Sequence, residues 1–436
     1  MSEFDNLIIC IMLLGNKLQA LREEMKITQR YIAEALSVDV PMYSRMERGT
    51  RPIKKEQIKI LADVLQTDET ELLTLWLADQ VNDVLKDDDT LVDKVMSIIQ
   101  NPEKENDISE FHLFAGIGGG IYGGEILGHK CCAGVEIDKY CQDVLKQRQK
   151  DGWMNEFPIY NDIKALNGKD FKGQFDVLCG GFPCQAFSYA AHGKNIEAKN
   201  LWPDMFRFVK ESQAPIVFGE NVTINAIEIA KADLESLGYI VERCRVACMD
   251  LGADHKRPRF WLLAVKNQSI FKKVANHVAS LPKFRPSFWE VNPHEIEYPV
   301  EVPVLAPQKR GIGNAQAPIA AATAFRVLVN RHLNHKYSDV NVCEEELSQI
   351  FEPVTTWIKG QYPDDPIYIH TPTTMGNYHY KSMMKHPSCA KYVRVFGKPT
   401  ALHAEYLMGF PIGASSPFSV KHEQIDIWKS QIYKED

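Results

Sequence analysis

Gly180-Gly181-Phe182-Pro183-Cys184-Gln185-Ala186-Phe187-Ser188 follows directly on the apolar run Phe175-Asp176-Val177-Leu178-Cys179. That run has the length and composition of a buried strand in a parallel sheet. A cysteine just past such a strand, preceded by two glycines and fixed by a proline, stands where open α/β sheets bind their ligands. Only the thiolate is a strong nucleophile, so a working cysteine there needs surroundings that stabilise negative charge. Two further strand ends supply candidates. Ile216-Val217-Phe218 runs into Gly219-Glu220-Asn221-Val222, and Arg257-Pro258-Arg259 leads into Phe260-Trp261-Leu262-Leu263-Ala264-Val265. A thiol, a carboxyl and two guanidiniums at neighbouring strand ends suit attack on an electron-poor ring.

Phe182-Pro183-Cys184-Gln185, Glu220-Asn221-Val222 and Arg257-x-Arg259, in that order and spacing, resemble the motifs of the DNA cytosine-5 methyltransferases. The likeness runs from about Phe111 to Val265, with further pieces as far as about Ser416. It implies an α/β fold: a Rossmann-like, S-adenosylmethionine-dependent methyltransferase sheet with a small target-recognition lobe. It also implies that Cys184 adds to a cytosine flipped out of double-stranded DNA, and that Glu220 hydrogen-bonds or protonates ring nitrogen 3. Arg259 would hold the exocyclic oxygen, and Arg257 would meet a phosphate or orient Glu220. Gln185 and Ser188 would face DNA, and the polar segment between Ser188 and Asn200 would be a mobile cover for the flipped base.

Phe111-His112-Leu113-Phe114, then Ala115-Gly116-Ile117-Gly118-Gly119-Gly120, reads as a strand entering a Gly-rich turn and a helix, a nucleotide-binding start. Glu136 ends the next strand 20 residues after Gly116, where an acid binds ribose hydroxyls. Asp162 stands at a third strand end. These features alone suit a dinucleotide equally well. The resemblance implies S-adenosylmethionine instead, held by Phe114, Ala115, Gly116, Ile117, Gly118, Glu136, Ile137, Asp162, Ile163, Pro183 and Asn314. Asn314 belongs to Gly311-Ile312-Gly313-Asn314-Ala315-Gln316-Ala317-Pro318, which resembles the family's last motif. The element that usually precedes it, Leu407-Met408-Gly409-Phe410-Pro411-Ile412-Gly413, here comes later. That altered order resembles phage-type members and moves the expected target-recognition segment to within 340–405. Residues 371–400 carry Lys381, Lys385, Lys391, Arg394 and Lys398, no acid, and interleaved Tyr378, Tyr380, Tyr392 and Phe396. Such stretches neutralise phosphates and read or stack on bases, with Lys381, Lys385 and Arg394 the candidates here.

Residues 14–76 read as a separate all-α domain. Thr28 is placed to cap the helix at Gln29-Arg30-Tyr31-Ile32-Ala33-Glu34-Ala35, and Pro41 to Arg48 forms a second helix closed by Gly49. A third amphipathic helix follows over about Lys55 to Leu65. The pattern resembles the helix-turn-helix domain of phage-repressor-like regulators. By that likeness Met42, Tyr43 and Arg45 would lie nearest the bases and Gln29 near a phosphate. The likeness allows dimerisation through this domain. An acidic linker is expected over 77–107, followed by the methyltransferase domain over 108–436.

The formal net charge of −7 does not argue against DNA. Residues 79–110 hold ten acids against three lysines, a surplus equal to the whole imbalance. Basic patches remain open to the rest of the chain. Ten cysteines without a Cys-x-x-Cys pair indicate neither a disulfide framework nor a metal site, so the expectation is a reducing cytoplasm and no metal. No signal sequence is expected. Leu7–Leu14 is far short of the roughly 20 apolar residues of a membrane span, so no membrane partner is expected. The rival readings are a tRNA-cytosine methyltransferase of the same fold and a transcription regulator whose catalytic half only binds cofactor. An amino-methyltransferase would need an Asp/Asn-Pro-Pro-aromatic loop, which the chain lacks. A cognate restriction endonuclease is a partner the resemblance allows.

Overall fold

A computed structural model describes residues 13–85, 107–183, 200–285, 289, 295–297, 306–335, 339–352, 368–373 and 379–433. The chain divides into two compact units, Met1–Glu105 and Asn106–Asp436. The first is helical: α1 Leu13–Glu24, α2 Gln29–Ala35, α3 Val40–Glu47, α4 Lys55–Val64 and α5 Glu69–Leu85. Thr28 caps α2 through its hydroxyl, and Asp39 caps α3 by accepting the Met42 N–H at 2.6 Å. Ile58, Leu61 and Leu65, one helical face, join Leu14, Leu18, Ile32 and Met46 in the core. The Asp79 carboxylate accepts the first N–H groups of α1, from Leu13 at 2.8 Å and Leu14 at 3.0 Å. Residues 77–85 therefore continue this unit rather than opening the acidic linker.

Two expected DNA-facing residues point inward. Tyr43 is fully buried and its hydroxyl donates to Glu47 at 3.3 Å. Glu47, also buried, gathers the Arg22 guanidinium at 2.6 Å and the Gln29 amide. Tyr43 and Gln29 thus satisfy a buried carboxylate, which would be costly unpaired, and Tyr43 cannot read a base. Met42 is half-buried against the core, while Arg45 is exposed.

The second unit is built on a seven-stranded sheet in the order β3-β2-β1-β4-β5-β7-β6. Its strands are β1 Ser109–Leu113, β2 Lys130–Val135, β3 Ile159–Tyr160, β4 Val177–Gly181, β5 Ile216–Asn221, β6 Ile240–Ala247 and β7 Pro258–Val265. β7 runs antiparallel to both β5 and β6; the other pairings are parallel. Successive residues alternate between two cores, as the strand period demands. Val177 and Cys179 face one side, with Ile216 and Phe218, while Leu178 and Val217 face the other, with Phe111 and Leu113. Helices α6 Gly119–Ile126, α7 Lys139–Lys150, α8 Trp202–Ser212 and α9 Ile224–Ser236 lie between strands, and α10 Gln268–Ser280 follows β7. Beyond the sheet come α11 Ala306–Asn314, α12 Pro318–Asn334, α13 Glu344–Ile350, α14 Pro387–Phe396, α15 Ala401–Met408 and α16 Glu423–Ser430. No helix among the described residues is long and apolar enough to cross a membrane.

The chain after α15 is stitched back onto α7. Tyr140 donates its hydroxyl to the Ser415 carbonyl at 2.7 Å, and buried Arg148 donates to the carbonyls of Gly413 and Phe418. Glu405 lies beneath this seam, fully buried, and accepts the N–H groups of Gly413 and Ser415, both at 2.8 Å. Burial pushes its carboxyl up to about 7, against the pull of those hydrogen bonds and of Arg148. A pKa raised on folding means that the folded state holds the proton more tightly. The resulting stabilisation is complete below the ordinary carboxyl range and is lost as pH rises through about 7. Thermal unfolding between pH 5 and 8 should therefore show wild type losing stability relative to Glu405→Gln, by about 2–4 kcal/mol across the window. Parallel curves for the two proteins would remove Glu405 as the cause.

Candidate active site

The C-terminal ends of β1, β2, β4 and β5 open into one cleft of about 580 Å³. Phe114, Ala115, Gly116, Glu136, Pro183, Glu220, Arg259 and Asn314 all line it. The sheet order reverses direction between β1 and β4, which leaves a crevice at this edge.

On the β1–β2 side, the chain turns sharply after Leu113: Phe114 has φ +56° and Gly116 φ +57°. Nothing stands within 4 Å of where a Gly116 side chain would begin, so a ligand can approach the backbone there. Glu136 ties this turn to the next by accepting the Gly116 N–H and the Asp138 N–H, each at 2.7 Å. Burial raises its carboxyl above the ordinary value, against those backbone hydrogen bonds. Ile137 follows with 73% of its surface exposed, an apolar face beside the carboxylate. Ile117 and Ile163 do not fit the expected lining: both side chains are buried in the cores. Gly118 faces Met154 and Leu145, and Asp162 caps the short turn Ile163–Ala165 by accepting the Lys164 N–H. A feature the sequence did not single out is the Asp138–Arg310 pair at 2.9 Å, with both residues on the cleft wall.

On the β4–β5 side, Asn221 donates its amide to the Phe182 carbonyl at 2.9 Å and accepts the Thr223 N–H at 3.1 Å. It thereby fixes the peptide leading into Pro183 against the end of β5. Cys184, Gln185 and Ser188, with the expected covering segment, lie outside the described residues. Glu220 is buried at the end of β5. Arg259 Nε approaches its Oε1 at 3.2 Å as an ion pair, without hydrogen-bond alignment. Gln316 Nε2 donates to Oε2 at 3.4 Å. Burial raises the Glu220 carboxyl above its ordinary value, outweighing the opposing charges of Arg259 and Arg257.

Arg257 departs from both expected roles. It is buried, with φ +37°, and donates to the carbonyls of Pro372 at 3.2 Å, Gly313 at 3.1 Å and Ala315 at 2.6 Å. The guanidinium is spent on holding the turn around Asn314, so it meets no phosphate, and it acts on Glu220 only through its charge. In the expected target-recognition segment, Tyr380, Lys381, Lys385 and Arg394 are exposed. Lys391, Tyr392 and Phe396 are buried on the inner face of α14 and cannot touch DNA. Tyr378 lies outside the described residues.

Comparison with known proteins adds an independent line. A family model described as C-5 cytosine-specific DNA methylase matches residues 108–368, and a helix-turn-helix model matches residues 18–72. The type II methyltransferase M.MspI of Moraxella sp is 25% identical over 274 residues, covering 58% of this chain and 63% of that protein. The type II methyltransferase M.HhaI of Haemophilus parahaemolyticus is 34% identical over 164 residues, 36% of this chain and 48% of that protein. The chain thus spans less than two thirds of the length of either relative. Among solved structures, the S. pombe Dnmt2 methyltransferase aligns with a TM-score of 0.30 at 16% identity, over 37% of this chain and 49% of that one.

Proposed function

The chain belongs to the C-5 cytosine-specific DNA methylases, and from that premise we propose that it transfers a methyl group from S-adenosylmethionine to carbon 5 of a cytosine in double-stranded DNA. The observation that carries the reading is the meeting in one cleft of a buried, arginine-paired Glu220, the peptide entering Pro183-Cys184, and the Gly116–Glu136 cradle. The family implies a methyl donor, and the cradle fits the nucleoside of this one. The Glu136 oxygens keep lone pairs free for ribose hydroxyls, the Gly116 backbone is approachable, and exposed Ile137 offers a face to a base. Asn314 and Pro183 complete the wall. S-adenosylmethionine, when bound, supplies an electrophilic methyl carbon.

The chain's own residues do the rest. The Cys184 thiolate adds to carbon 6, forming a carbon–sulfur bond and moving electron density to carbon 5. Glu220, kept neutral more readily by its burial, hydrogen-bonds or protonates nitrogen 3 and so stabilises the charge that develops. Once carbon 5 is methylated, Glu220 takes back any proton given to nitrogen 3, water takes the carbon 5 proton, and the electron pair of that carbon–hydrogen bond expels the thiolate from carbon 6. Arg259 holds Glu220 and reaches toward the exocyclic oxygen. The base must leave the duplex, at a cost of a few kcal/mol. The helix-turn-helix unit and the exposed Lys381, Lys385 and Arg394 supply further DNA contacts, and the protein works in the cytoplasm.

Incubation with tritiated S-adenosylmethionine and unmethylated plasmid DNA, then bisulfite sequencing, should show 5-methylcytosine in a recurring sequence context. Transfer to tRNA with none to DNA would replace this reading by its RNA counterpart.

A further inference from the structure

Three polar side chains stand in the apolar core behind the cleft, and the mechanism above uses none of them. Glu110 and His112, both on β1 and two residues apart, face the same side as Cys179 on β4, which pairs with His112 in register. The Glu110 carboxylate joins His112 Nε2 at 2.8 Å and His129 Nδ1 at 2.6 Å; all three residues are at least 95% buried. Burial opposes its charge, yet the two imidazoles hold the carboxyl down to about 2. An ionised carboxylate can only accept. The hydrogen between the two groups therefore sits on His112 Nε2, and in a ring carrying that one hydrogen Nδ1 is a lone-pair acceptor.

Nδ1 faces a small space beneath α6. A cavity of about 10 Å³ is lined by Glu110, His112, Gly120, Gly124, Cys179 and Gln316, among others, which is room for one water molecule. The helix covering it carries glycine where it must: a side-chain carbon at Gly120 would stand 2.7 Å from Gln316 Oε1 and 3.3 Å from His112 Nδ1. The two acceptors are therefore at most about 6 Å apart, a span that one bridging water can close. At its other end, Gln316 presents Nε2 to Glu220.

We propose that His112 is a positioning residue: through one buried water it holds Gln316 with its amide nitrogen toward Glu220, and so sets the protonation of that carboxyl. The water donates one hydrogen to His112 Nδ1 and the other to Gln316 Oε1. With Oε1 engaged, Gln316 cannot flip, and its N–H favours the ionised form of Glu220. A flipped amide would present an acceptor instead and favour the acid. The other charged groups facing Glu220 are Arg259 at the start of β7 and Arg257 just before it. The other titratable groups around the buried trio are His277 of α10, its ring 5.3 Å from that of His129, and the thiols of Cys131 and Cys132 on β2 and of Cys179, all three thiols held protonated chiefly by burial. The proposal rests on Glu220 acting as an acid in methyl transfer, as read above.

His112→Gln keeps a donor for Glu110 but removes the Nδ1 acceptor, and Gln316→Met removes the amide. Methyl transfer would be followed against pH in the full chain, with tritiated S-adenosylmethionine and unmethylated plasmid DNA. In each variant the limb on which the rate falls with rising pH should move up by about half to one pH unit, and the double variant should move no further than either single. Additive shifts, or a profile unmoved by His112→Gln, would overturn the coupling. Nitrogen-15 histidine spectra of the wild-type chain decide the tautomer without any turnover: His112 should carry its hydrogen on Nε2 below an unprotonated Nδ1. The opposite tautomer, or a stoichiometric metal ion bound by Glu110, His112 and Cys179, would sink the relay. A chain with the expected tautomer that methylates neither DNA nor RNA would instead overturn the functional reading.

Discussion

Cys184→Ser should lower methyl transfer by at least about 10⁴-fold while leaving DNA binding within a few-fold of wild type. A serine hydroxyl is hardly ionised near neutral pH, whereas a thiol of ordinary pKa, about 8.5, already supplies a few per cent of a very nucleophilic thiolate. Just upstream, Pro183 lines the cleft together with Arg259, and Asn221 holds the Phe182 carbonyl. Removing the sulfur takes away the step that makes carbon 5 nucleophilic, so no other group can substitute. Transfer is read by tritium incorporation and binding by gel shift on the same DNA. Serine turnover within tenfold of wild type would place the nucleophile elsewhere.

Glu220→Gln is expected to cost about 10²–10⁴-fold in the single-turnover rate. Glutamine still offers an N–H to ring nitrogen 3 but cannot deliver a proton, so the size of the loss separates the two contributions. A loss near the lower end assigns Glu220 mainly to hydrogen bonding, and one near the upper end to proton transfer. The substitution also leaves Arg259 without its carboxylate partner in a largely buried site, so melting temperature must be measured beside the rate. An undiminished rate in a folded variant would take Glu220 out of the chemistry.

The strand ends carrying Glu220 and Pro183, and the Gly-rich turn, were legible because period, glycine placement and motif order all point to one sheet edge. The helices of the first unit were legible from caps and apolar spacing. Arg257 was not. Two arginines spaced i, i+2 read as one face of a strand, but β7 begins only at Pro258, and the positive φ at Arg257 turns its side chain into the core. Tyr43 misled for another reason. Its partner Glu47 is satisfied jointly from α1, α2 and α3, an arrangement that exists only after those helices pack. Asn221 stood in view within a motif, yet its role depends on the Phe182 carbonyl arriving from a neighbouring strand. Gln316 and His112 became meaningful only when β1, β5 and the turn before α12 converged.

The seam that closes α7 joins Tyr140 and Arg148 to residues 265–275 positions downstream. On the ribosome, at ~5–20 residues per second, those groups wait roughly 13 to 55 seconds for their partners. Tyr122 likewise waits for Phe410 and Trp428, the two rings that pack edge-on against it in the finished chain. That face of α6 and α7 is therefore completed only after residues 410–428 have been synthesised.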